Sequence, residues 1–366
     1  LPPGSTIGVL GGGQLGRMIA LAAARLGIKT HIYAHHPDEP AAHVSAAVTT
    51  GEWTDEAALA RFADAVDIVT YEFENVPAAT AAFLAARKPV RPGPLALEKT
   101  QDRLVEKDFL TSLGIPTAPY AAGDDAGAPI RHIRRLGRPG VLKPRRMGYD
   151  GKGQAVLRRL DDVDAALAAM HGQPAIYEEF VPFDCEVSVI GARSRRGEIA
   201  IYPLNGNVHR DGILRVTRSP FGTAALQRRA AGHLRRVLEH FDYAGVLNIE
   251  FFVRRGRLVA NETAPRVHNS GHWTIEGAET SQFENHLRAI LDLPLGSTAP
   301  RGHSAMVNLI GTLPPREALL SIPGVHLHDY GKTPRAGRKL GHCTVVAGSA
   351  AGRERLLRRL LKVVGD

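Results

Sequence analysis

Hydrophobic positions in the first hundred residues form a pattern that predicts alternating strands and helices. Residues 7–10 (IGVL) are predicted as a buried strand, and helical spacing follows at Leu15, Met18, Ile19, Ala22 and Leu26. Further strands are predicted at 29–33 and 66–70, with a helix at 55–65 between them. Strands that alternate with helices are typical of a parallel α/β sheet, so we expect an N-terminal parallel-sheet domain over residues 1–98.

From residue 141 onward, closely spaced apolar runs predict a β-rich region. The predicted strands lie at 141–143, 154–158, 175–180, 185–191, 198–204, 246–253 and 257–261. Helices are predicted near 99–113, 161–170 and 224–241. This mixture indicates an α+β domain over 99–295.

The remaining residues, 296–366, form a smaller predicted subdomain that ends in a helix at 353–364. Leucines form one stripe of this helix, opposite several arginines. A basic amphipathic helix can lie on a membrane or on nucleic acid. We favour the alternative, in which the leucines pack on the protein core.

Composition narrows the class of protein. With 366 residues, 44% hydrophobic and 23% charged, the chain is typical of a soluble globular protein. Two cysteines, Cys185 and Cys343, are too few for a disulfide framework, which favours the cytoplasm. A formal charge of +9 favours anionic ligands. The basic residues are dispersed and only 6% of residues are aromatic, so we expect neither a nucleic-acid partner nor a membrane partner.

A glycine-rich loop, GGGQLG at 11–16, follows the first predicted strand and resembles a dinucleotide-binding fingerprint. A nicotinamide oxidoreductase would carry an acidic residue at the end of the second strand, but the chain reads YAHH at 33–36. We therefore disfavour dinucleotide binding. The loop amides could still bind a phosphate-bearing ligand, with Gln14 and Leu15 closest to it.

Two acidic residues follow the third predicted strand of this domain. Ligands of open parallel sheets bind beyond the carboxyl ends of the strands, so Glu72 or Glu74 should face the same crevice as the glycine loop. A carboxylate there would suit an amine or a hydroxyl group of a ligand. Glu74 could equally be an acidic residue at the N-terminus of a helix.

Two further carboxylates lie in apolar strands that a short turn containing Gly256 joins into a hairpin. Glu250 and Glu262 are each six residues from Gly256, so a turn centred there places them directly opposite each other. Like charges that face each other are destabilising unless something neutralises them. Mg²⁺ could do so, because it binds one or two carboxylates and coordinates substrate phosphates as well. We therefore predict a magnesium site, although salt bridges to arginine or a bulge would remove it.

Polar residues crowd the segment that follows Glu262. Arg266, His268 and Asn269 are not needed to build a strand or helix, and the guanidinium group suits an anion pocket. His268 and His272 have the spacing of a zinc-binding helix, but the intervening NSG and the missing glutamate argue against zinc.

A second glycine-rich segment follows Lys143, which ends a predicted strand. Its three glycines at 148–153 could leave amides free to bind phosphates, with Lys143 and Lys152 supplying positive charge. The spacing differs from that of a Walker A loop. A strand end at 176–181, followed by Glu186, could bind the base and ribose of a nucleotide.

Taken together, these motifs resemble the ATP-grasp superfamily and, within it, the N5-carboxyaminoimidazole ribonucleotide synthetase family of bacterial purine biosynthesis. The resemblance runs from about residue 7 to about residue 342. It rests on GGGQLGRM at 11–18, QDR at 101–103, Lys143, GYDGKGQ at 148–154, EEFV at 178–181, Glu186, HRDGI at 209–213, Asn261-Glu262 and PRVHNSGHW at 265–273.

The resemblance implies an ATP-grasp fold with a Rossmann-like N-terminal domain, a nucleotide lid at about 115–180 and a small C-terminal subdomain. It implies that ATP contacts Arg103, Lys143, Gly148, Tyr149, Asp150, Gly151, Lys152, Gly153, Gln154, Glu178, Glu179, Phe180, Val181, Glu186, His209, Asn261 and Glu262. Mg²⁺ would bind Glu250 and Glu262. The ribonucleotide would contact Gln14, Leu15, Glu72, Tyr149, Asp150, Asn269, Lys332, Arg338 and Lys339. The catalytic residues would be Arg266, His268 and Lys143.

The implied activity is an ATP-dependent carboxylation of 5-aminoimidazole ribonucleotide by bicarbonate, through carboxyphosphate. An alternative within the superfamily is the formate-dependent glycinamide ribonucleotide transformylase. The resemblance also implies a homodimer.

Overall fold

The computed structural model describes residues 2, 4–123, 130–131, 134, 139–148, 153–159 and 161–365. Near the N-terminus, four parallel strands form a sheet in the order β3-β2-β1-β4. They are β1 (Thr6–Leu10), β2 (Lys29–Ala34), β3 (Ala47–Thr50) and β4 (Ile68–Tyr71). The helices of this region are α1 (Gln14–Arg25), α2 (Glu56–Asp64) and α3 (Ala78–Ala85). The predicted parallel sheet is confirmed.

Two helices, α4 (Pro94–Thr100) and α5 (Arg103–Ser112), follow this sheet. The sequence pattern predicts a single helix over 99–113, which is wrong because Asp102 interrupts it. Asp102 has an extended backbone, and its carboxylate accepts a hydrogen bond from the amide of Leu104 at 3.0 Å. An aspartate in this position satisfies free amides of a new first turn and so starts a second helix.

A small antiparallel sheet comes next, in the order β5-β8-β6-β7. Its elements are β5 (Tyr120–Ala122), β6 (Gly140–Pro144), β7 (Ala155–Leu157), α6 (Asp162–Ala169) and β8 (Ala175–Glu179). Leu142, Leu157 and Tyr177 form its core with residues of α6. Because Val141 pairs with Glu178, Lys143 lies two residues further along the same face.

The largest sheet has nine strands, all paired antiparallel, in the order β14-β13-β9-β11-β12-β15-β17-β16 with β10 beside β9. The strands are β9 (Cys185–Arg193), β10 (Ile199–Ile201), β11 (Asn205–Arg210), β12 (Ile213–Ser219), β13 (Gly245–Arg254), β14 (Arg257–Ala264), β15 (His303–Ile310), β16 (Val325–Asp329) and β17 (Lys339–Ala347). Because β15 pairs with β12, the sheet continues into the C-terminal part of the chain.

The helices around this sheet are α7 (Ala224–His240), α8 (Thr274–Gly277), α9 (Gln282–Ile290), α10 (Arg316–Leu320) and α11 (Ala350–Val364). On α11, Leu357 and Leu360 are buried in one cluster with Leu309 of β15 and Val345 of β17. The predicted packing of this helix on the core is confirmed. Across the ranges given above, no helix is long and apolar enough to cross a bilayer.

A buried histidine connects the N-terminal sheet to the large sheet. His286 on α9 lies 2.8 Å from the Thr70 hydroxyl of β4, through Nε2. Its Nδ1 accepts a hydrogen bond from the amide of Val246 on β13 at 3.2 Å. Because Nδ1 accepts, the ring proton is on Nε2 and is donated to Thr70. The neutral ring therefore joins two sheets that form from distant parts of the chain.

Replacing His286 with glutamine should make the protein less sensitive to acid. Burial lowers the pKa of His286 to about 4, whereas it is about 6.5 in an unfolded chain. Between these values the unfolded chain binds more protons, so the stabilisation is complete above pH 6.5 and is lost as the pH falls toward 4. From pH 7 to pH 5, the wild type should lose about 2 kcal/mol more unfolding free energy than His286→Gln.

Urea unfolding at the two pH values measures this difference. The matched control is His326→Gln, since His326 is exposed on β16. A His286→Gln protein that loses as much stability on acidification as the wild type would contradict the prediction.

Candidate functional site

The hairpin of β13 and β14 pairs Glu250 with Glu262, as predicted. The register arises differently from the expectation. The turn is centred between residues 255 and 256, both with positive φ (49° and 72°), so a regular ladder would place Glu250 opposite Asn261. A bulge beside Glu250 adds one residue to β14 and brings Glu262 into that position instead. The bulge therefore creates the pairing that it was expected to disrupt.

Burial and mutual repulsion shape the chemistry of this carboxylate pair. Burial, and then the charge of Glu262, raise the pKa of Glu250 to about 7. The Nε2 atom of His268 lies 3.6 Å from a carboxylate oxygen of Glu250, and Arg103 lies 3.3 Å from Glu262. Two facing carboxylates, Glu250 buried and Glu262 partly exposed, provide hard oxygen ligands that suit Mg²⁺. In the described ranges no cluster of three or more His, Cys, Asp or Glu could hold a metal, so nucleotide phosphates would have to complete the shell.

The pair opens into a polar cleft, which we call the carboxylate pocket. Its walls include Arg103, Lys143, Gly148, Gln154, Glu186, His209, Asn261, His268, Asn269 and Lys339. Eight of the thirteen described residues that the resemblance assigns to ATP therefore meet here. Tyr149, Asp150, Gly151 and Lys152 lie outside the described residues. Both amide atoms of Asn269 and the carbonyl oxygen of the Asn261 side chain are buried without a partner among the described residues. Such atoms suit ligand binding.

His209 supplies a positive charge to the carboxylate pocket. Its Nδ1 lies 2.9 Å from the Glu186 carboxylate. Burial alone would lower the pKa of His209, but the hydrogen bond to Glu186 and the charges of Glu250 and Glu262 raise it to about 9. The ring is therefore protonated at neutral pH and can attract phosphate.

Glu178 binds two lysines and, among the described residues, is not part of the lining of the carboxylate pocket. It is 3% exposed, and its two oxygens lie 3.2 Å from the ammonium groups of Lys143 and Lys107. Burial would raise the pKa of Glu178, but the two lysines lower it to about 2. Burial lowers the pKa of Lys143 despite this ion pair.

The predicted nucleotide residues after Glu178 lie at the end of β8 and just beyond it. In the described part of the chain, the walls of the carboxylate pocket do not include Glu179, Phe180 or Val181. The amides of Glu179 and Phe180 donate to the carbonyls of Pro119 and Pro139. Those two amides are therefore engaged within the protein. Gly153 lies at the end of the described lid segment, next to Gln154.

Arg266 lies in a second cleft, the central pocket, beside the carboxylate pocket. His268, Asn269, Glu262, Arg103 and Lys339 line both pockets. Two nitrogens of the Arg266 guanidinium bind the Glu74 carboxylate, one of them at 2.7 Å. Burial would raise the pKa of Glu74, but Arg266 holds it below its usual range. Glu74 thus orients Arg266 instead of starting a helix, and the guanidinium group is partly neutralised.

His268 faces the carboxylate pair as a neutral hydrogen-bond donor. Its Nδ1 accepts a hydrogen bond from the amide of Ser270 at 3.3 Å, so the ring proton is on Nε2, which points toward Glu250. Burial, and then the charge of Arg266, lower the pKa of His268 well below its usual value. The ring can therefore donate to an anion without carrying a charge.

Two amides of the N-terminal glycine loop bind a carboxylate of the protein, a contact that the sequence pattern does not predict. The carboxylate of Glu72 accepts hydrogen bonds from the amides of Gly13 and Gly16 at 2.7 and 2.8 Å. A Cβ atom on Gly13 would lie 2.6 Å from Glu72 Oε1, so glycine is needed for this close approach. Burial raises the pKa of Glu72 although the two amides lower it. An acidic side chain of the protein itself occupies the anion site.

A third cleft, the basic pocket, extends from the central pocket. Gln14, Leu15, Glu72 and Arg266 line it together with Lys332, Arg335, Arg338 and Lys339. The Lys332 ammonium donates to the Gln14 side chain. Burial lowers the pKa of Lys332 to about 8, although the nearby Glu72 raises it. The predicted ribonucleotide residues of the described chain, including Asn269, thus line adjoining pockets.

Sequence reasoning missed several residues of this centre. Arg335 lines the basic pocket, and Arg145 lines the central pocket. Glu106 and Lys107 are buried behind the bulge. The sequence did contain a sign of Glu106. It lies four residues before the apolar Leu110, on the same face of the helix, and a carboxylate on a buried face is rare unless it has a specific role.

Comparisons with known proteins support this description. Residues 5–101 match the ribonucleotide synthetase preATP-grasp domain, residues 108–283 the ATP-grasp domain, and residues 304–355 the phosphoribosylaminoimidazole carboxylase C-terminal domain. The N5-carboxyaminoimidazole ribonucleotide synthase of Pseudomonas aeruginosa is 49% identical over 339 residues, which are 93% of this chain and 94% of that protein. The synthase of Brucella melitensis is 50% identical over 353 residues, covering 94% and 97%.

Solved structures of the same family are also similar to this chain. The N5-carboxyaminoimidazole ribonucleotide synthetase of Thermus thermophilus superimposes with a TM-score of 0.94 at 50% identity, covering 98% of this chain and 99% of the other. A synthase of Aspergillus clavatus, in complex with ADP and 5-aminoimidazole ribonucleotide, gives a TM-score of 0.93 at 33% identity, covering 99% of each chain. These matches favour the synthetase over the transformylase. The chain belongs to the N5-carboxyaminoimidazole ribonucleotide synthetase family of ATP-grasp ligases, which act in purine biosynthesis.

Proposed function

We propose that this chain uses ATP to phosphorylate bicarbonate and transfers the resulting carboxyl group to the amine of 5-aminoimidazole ribonucleotide. The products are N5-carboxyaminoimidazole ribonucleotide, ADP and phosphate. Family membership supports the overall reaction, and the Aspergillus clavatus complex supports binding of ADP and the ribonucleotide. Bicarbonate, Mg²⁺ and the residue roles below are our own assignments.

The observation that carries the proposal is the overlap of the three pockets. Glu262 and His268 line both the carboxylate and the central pockets, and Arg266 lines both the central and the basic pockets. A reactive intermediate made at the carboxylate end could therefore reach the ribonucleotide without leaving the protein. Confining it in this way limits its hydrolysis by water.

At the carboxylate end, positive charges face the phosphates. We assign Lys143, Arg103 and protonated His209 to the phosphate oxygens of ATP, since all three line the carboxylate pocket. Glu250 and Glu262 would hold Mg²⁺, which offsets negative charge on the transferring phosphoryl group. Glu178 keeps Lys143 in place through their ion pair.

In the central pocket, we assign Arg266 and the Nε2 proton of His268 to the oxygens of carboxyphosphate. The amine nitrogen of the ribonucleotide attacks the carboxyl carbon, a C–N bond forms, and the bond from that carbon to the phosphate oxygen breaks. Phosphate leaves with the electron pair, and the nitrogen loses a proton. Glu74 orients Arg266 for this contact.

In the basic pocket, we assign Lys332, Arg338 and Lys339 to the phosphate of the ribonucleotide. These residues line the pocket together with Gln14 and Leu15, and Lys332 donates to the Gln14 side chain. Glu72 bonds the glycine loop and so supports Gln14 rather than leaving its own oxygens free. The resemblance also leads us to propose a cytoplasmic homodimer.

Release of ADP should require MgATP, bicarbonate and 5-aminoimidazole ribonucleotide together. A coupled assay with each substrate omitted in turn measures this requirement. A parallel assay supplies formate and glycinamide ribonucleotide. ADP release supported equally well by that second pair would move the activity to the transformylase.

Binding of Mg²⁺ to the ADP complex should weaken as the pH falls from 8 to 6. The pKa of Glu250 is about 7 without metal, and its proton must leave before the oxygen can bind a cation. Below that pKa, the Mg²⁺ affinity of the wild type should fall by up to about tenfold per pH unit. This fall is in addition to any fall that Glu250→Gln also shows. Titration calorimetry measures the affinity.

In this experiment Glu250→Gln reports the pH dependence that belongs to the nucleotide alone. Glu279→Gln, at an exposed position, is the matched control and should follow the wild type. Equal pH dependence in wild type and Glu250→Gln would show that Glu250 does not bind the metal.

Replacement of Arg338 with glutamine should weaken binding of the ribonucleotide selectively. Loss of one charge-assisted hydrogen bond, about 1.5–3 kcal/mol, should raise KM for the ribonucleotide by roughly 10- to 100-fold. KM for ATP should stay the same, because Arg338 does not line the carboxylate pocket among the described residues. Arg359→Gln, on the exposed face of α11, is the control. An equal rise in both KM values would refute the assignment.

A further inference from the structure

The first turns of α5 contact the bulged segment of β14 through ionisable side chains. Arg103 reaches Glu262, while Glu106 and Lys107 are buried behind the strand, 2% and 1% exposed. The nucleotide assignment accounts for Arg103. It does not account for Glu106 or Lys107. Within the described ranges neither lines the carboxylate pocket, and Glu106 alone of the two lines the central pocket.

Lys107 donates to both carbonyls of the bulge. Its Nζ atom lies 3.1 Å from the oxygen of Ala260 and 2.9 Å from that of Asn261. Consecutive carbonyls of a regular strand point in opposite directions, so one ammonium group could not bind both. A bulge turns them to the same side. The contact is therefore specific for the bulged form of β14.

Glu106 fixes the other end of the same segment. Its carboxyl group accepts a hydrogen bond from the amide of Thr263, the residue after Glu262. The backbone is thus held on both sides of Glu262, at Asn261 and at Thr263. A slip of one residue would bring Asn261 opposite Glu250 and break both contacts.

Lys107 also connects the two sheets that form the carboxylate pocket. Its third hydrogen-bond acceptor is Glu178 of β8, at 3.2 Å, and the other oxygen of Glu178 binds Lys143 on β6. An ammonium group has three protons, so all its donors are used. The bulge on the large sheet and the phosphate lysine on the small sheet therefore share one buried cation.

We propose that Glu106 and Lys107 are positioning residues, which hold the bulge of β14 in the register that aligns Glu262 with Glu250. Lys107 additionally sets the place of Lys143 through Glu178. The proposal rests on the proposed function only in that the aligned carboxylates bind Mg²⁺. The register itself is a property of the protein without ligands.

Lys107→Met tests the proposal, since methionine keeps the length of the side chain and removes its charge and donors. Without ligands, amide hydrogen exchange in a peptide covering 258–264 should become faster than in the wild type. With ADP, calorimetry should show Mg²⁺ affinity reduced by roughly 10- to 100-fold, as for other residues that orient metal ligands. Lys362→Met, which removes an exposed charge from α11, should match the wild type in both measurements.

A pair of Glu106 variants gives an independent test if Lys107→Met does not fold. Glutamine keeps the oxygen that accepts from Thr263, so Glu106→Gln should retain most of the Mg²⁺ affinity. Glu106→Leu removes the acceptor and should lower the affinity and speed exchange in the same peptide. Equal affinities in these two variants, or a folded Lys107→Met with wild-type exchange and affinity, would overturn the proposal.

Measuring ADP release by the wild type distinguishes failure of this proposal from failure of the proposed function. If the wild type releases no ADP with bicarbonate and the ribonucleotide, the proposed reaction fails, while the exchange measurement still decides the role of Lys107. If the wild type turns over and Lys107→Met only melts at a lower temperature, with unchanged exchange and Mg²⁺ affinity, the role of Lys107 is merely structural.

Discussion

The site depends on two like charges held face to face. Glu250 and Glu262 repel each other across a buried hairpin, and burial together with this repulsion raises the pKa of Glu250. A fold keeps such a pair at a cost in stability, because an unpaired buried charge is expensive. The surrounding contacts fix this arrangement, which the proposed Mg²⁺ and nucleotide phosphates would neutralise. Arg103, His209 and the donors behind β14 all lie within this environment.

Charged side chains are also held in place by their neighbours elsewhere in the cleft. Three of the cations proposed to contact a substrate are each oriented by a carboxylate of the protein: Lys143 by Glu178, His209 by Glu186 and Arg266 by Glu74. These pairs limit the motion of the cations and lower their net charge. A buried pair of this kind contributes little net stability, so its value lies in geometry. The N-terminal loop differs, since Glu72 binds two of its amides, and we assign the phosphate of the ribonucleotide to the basic pocket.

Local rules predicted many elements of the fold. Alternation of strands and helices predicted the parallel sheet, and the leucine stripe predicted the packing of α11. The predicted single helix over 99–113 was wrong, because Asp102 interrupts it and starts a second helix. The sequence pattern also missed β16 and β17, because β17 pairs with β15 and β16 pairs with β17 only in the folded sheet. For the site, motifs and the family resemblance named many of the residues that meet in the cleft. They placed Glu72 beside the glycine loop, but did not predict that its carboxylate bonds the loop amides.

The sequence by itself determined the composition of the site, because motif residues stay at fixed spacings in the chain. It determined the hairpin as well, since two apolar strands and a glycine turn are local features. Tertiary structure decided the register, because the bulge in β14 is held by a helix some 150 residues earlier in the chain. It also decided which charges are paired. The energy of a buried charge depends on what surrounds it in space, and distant segments supply those neighbours only when the chain has folded.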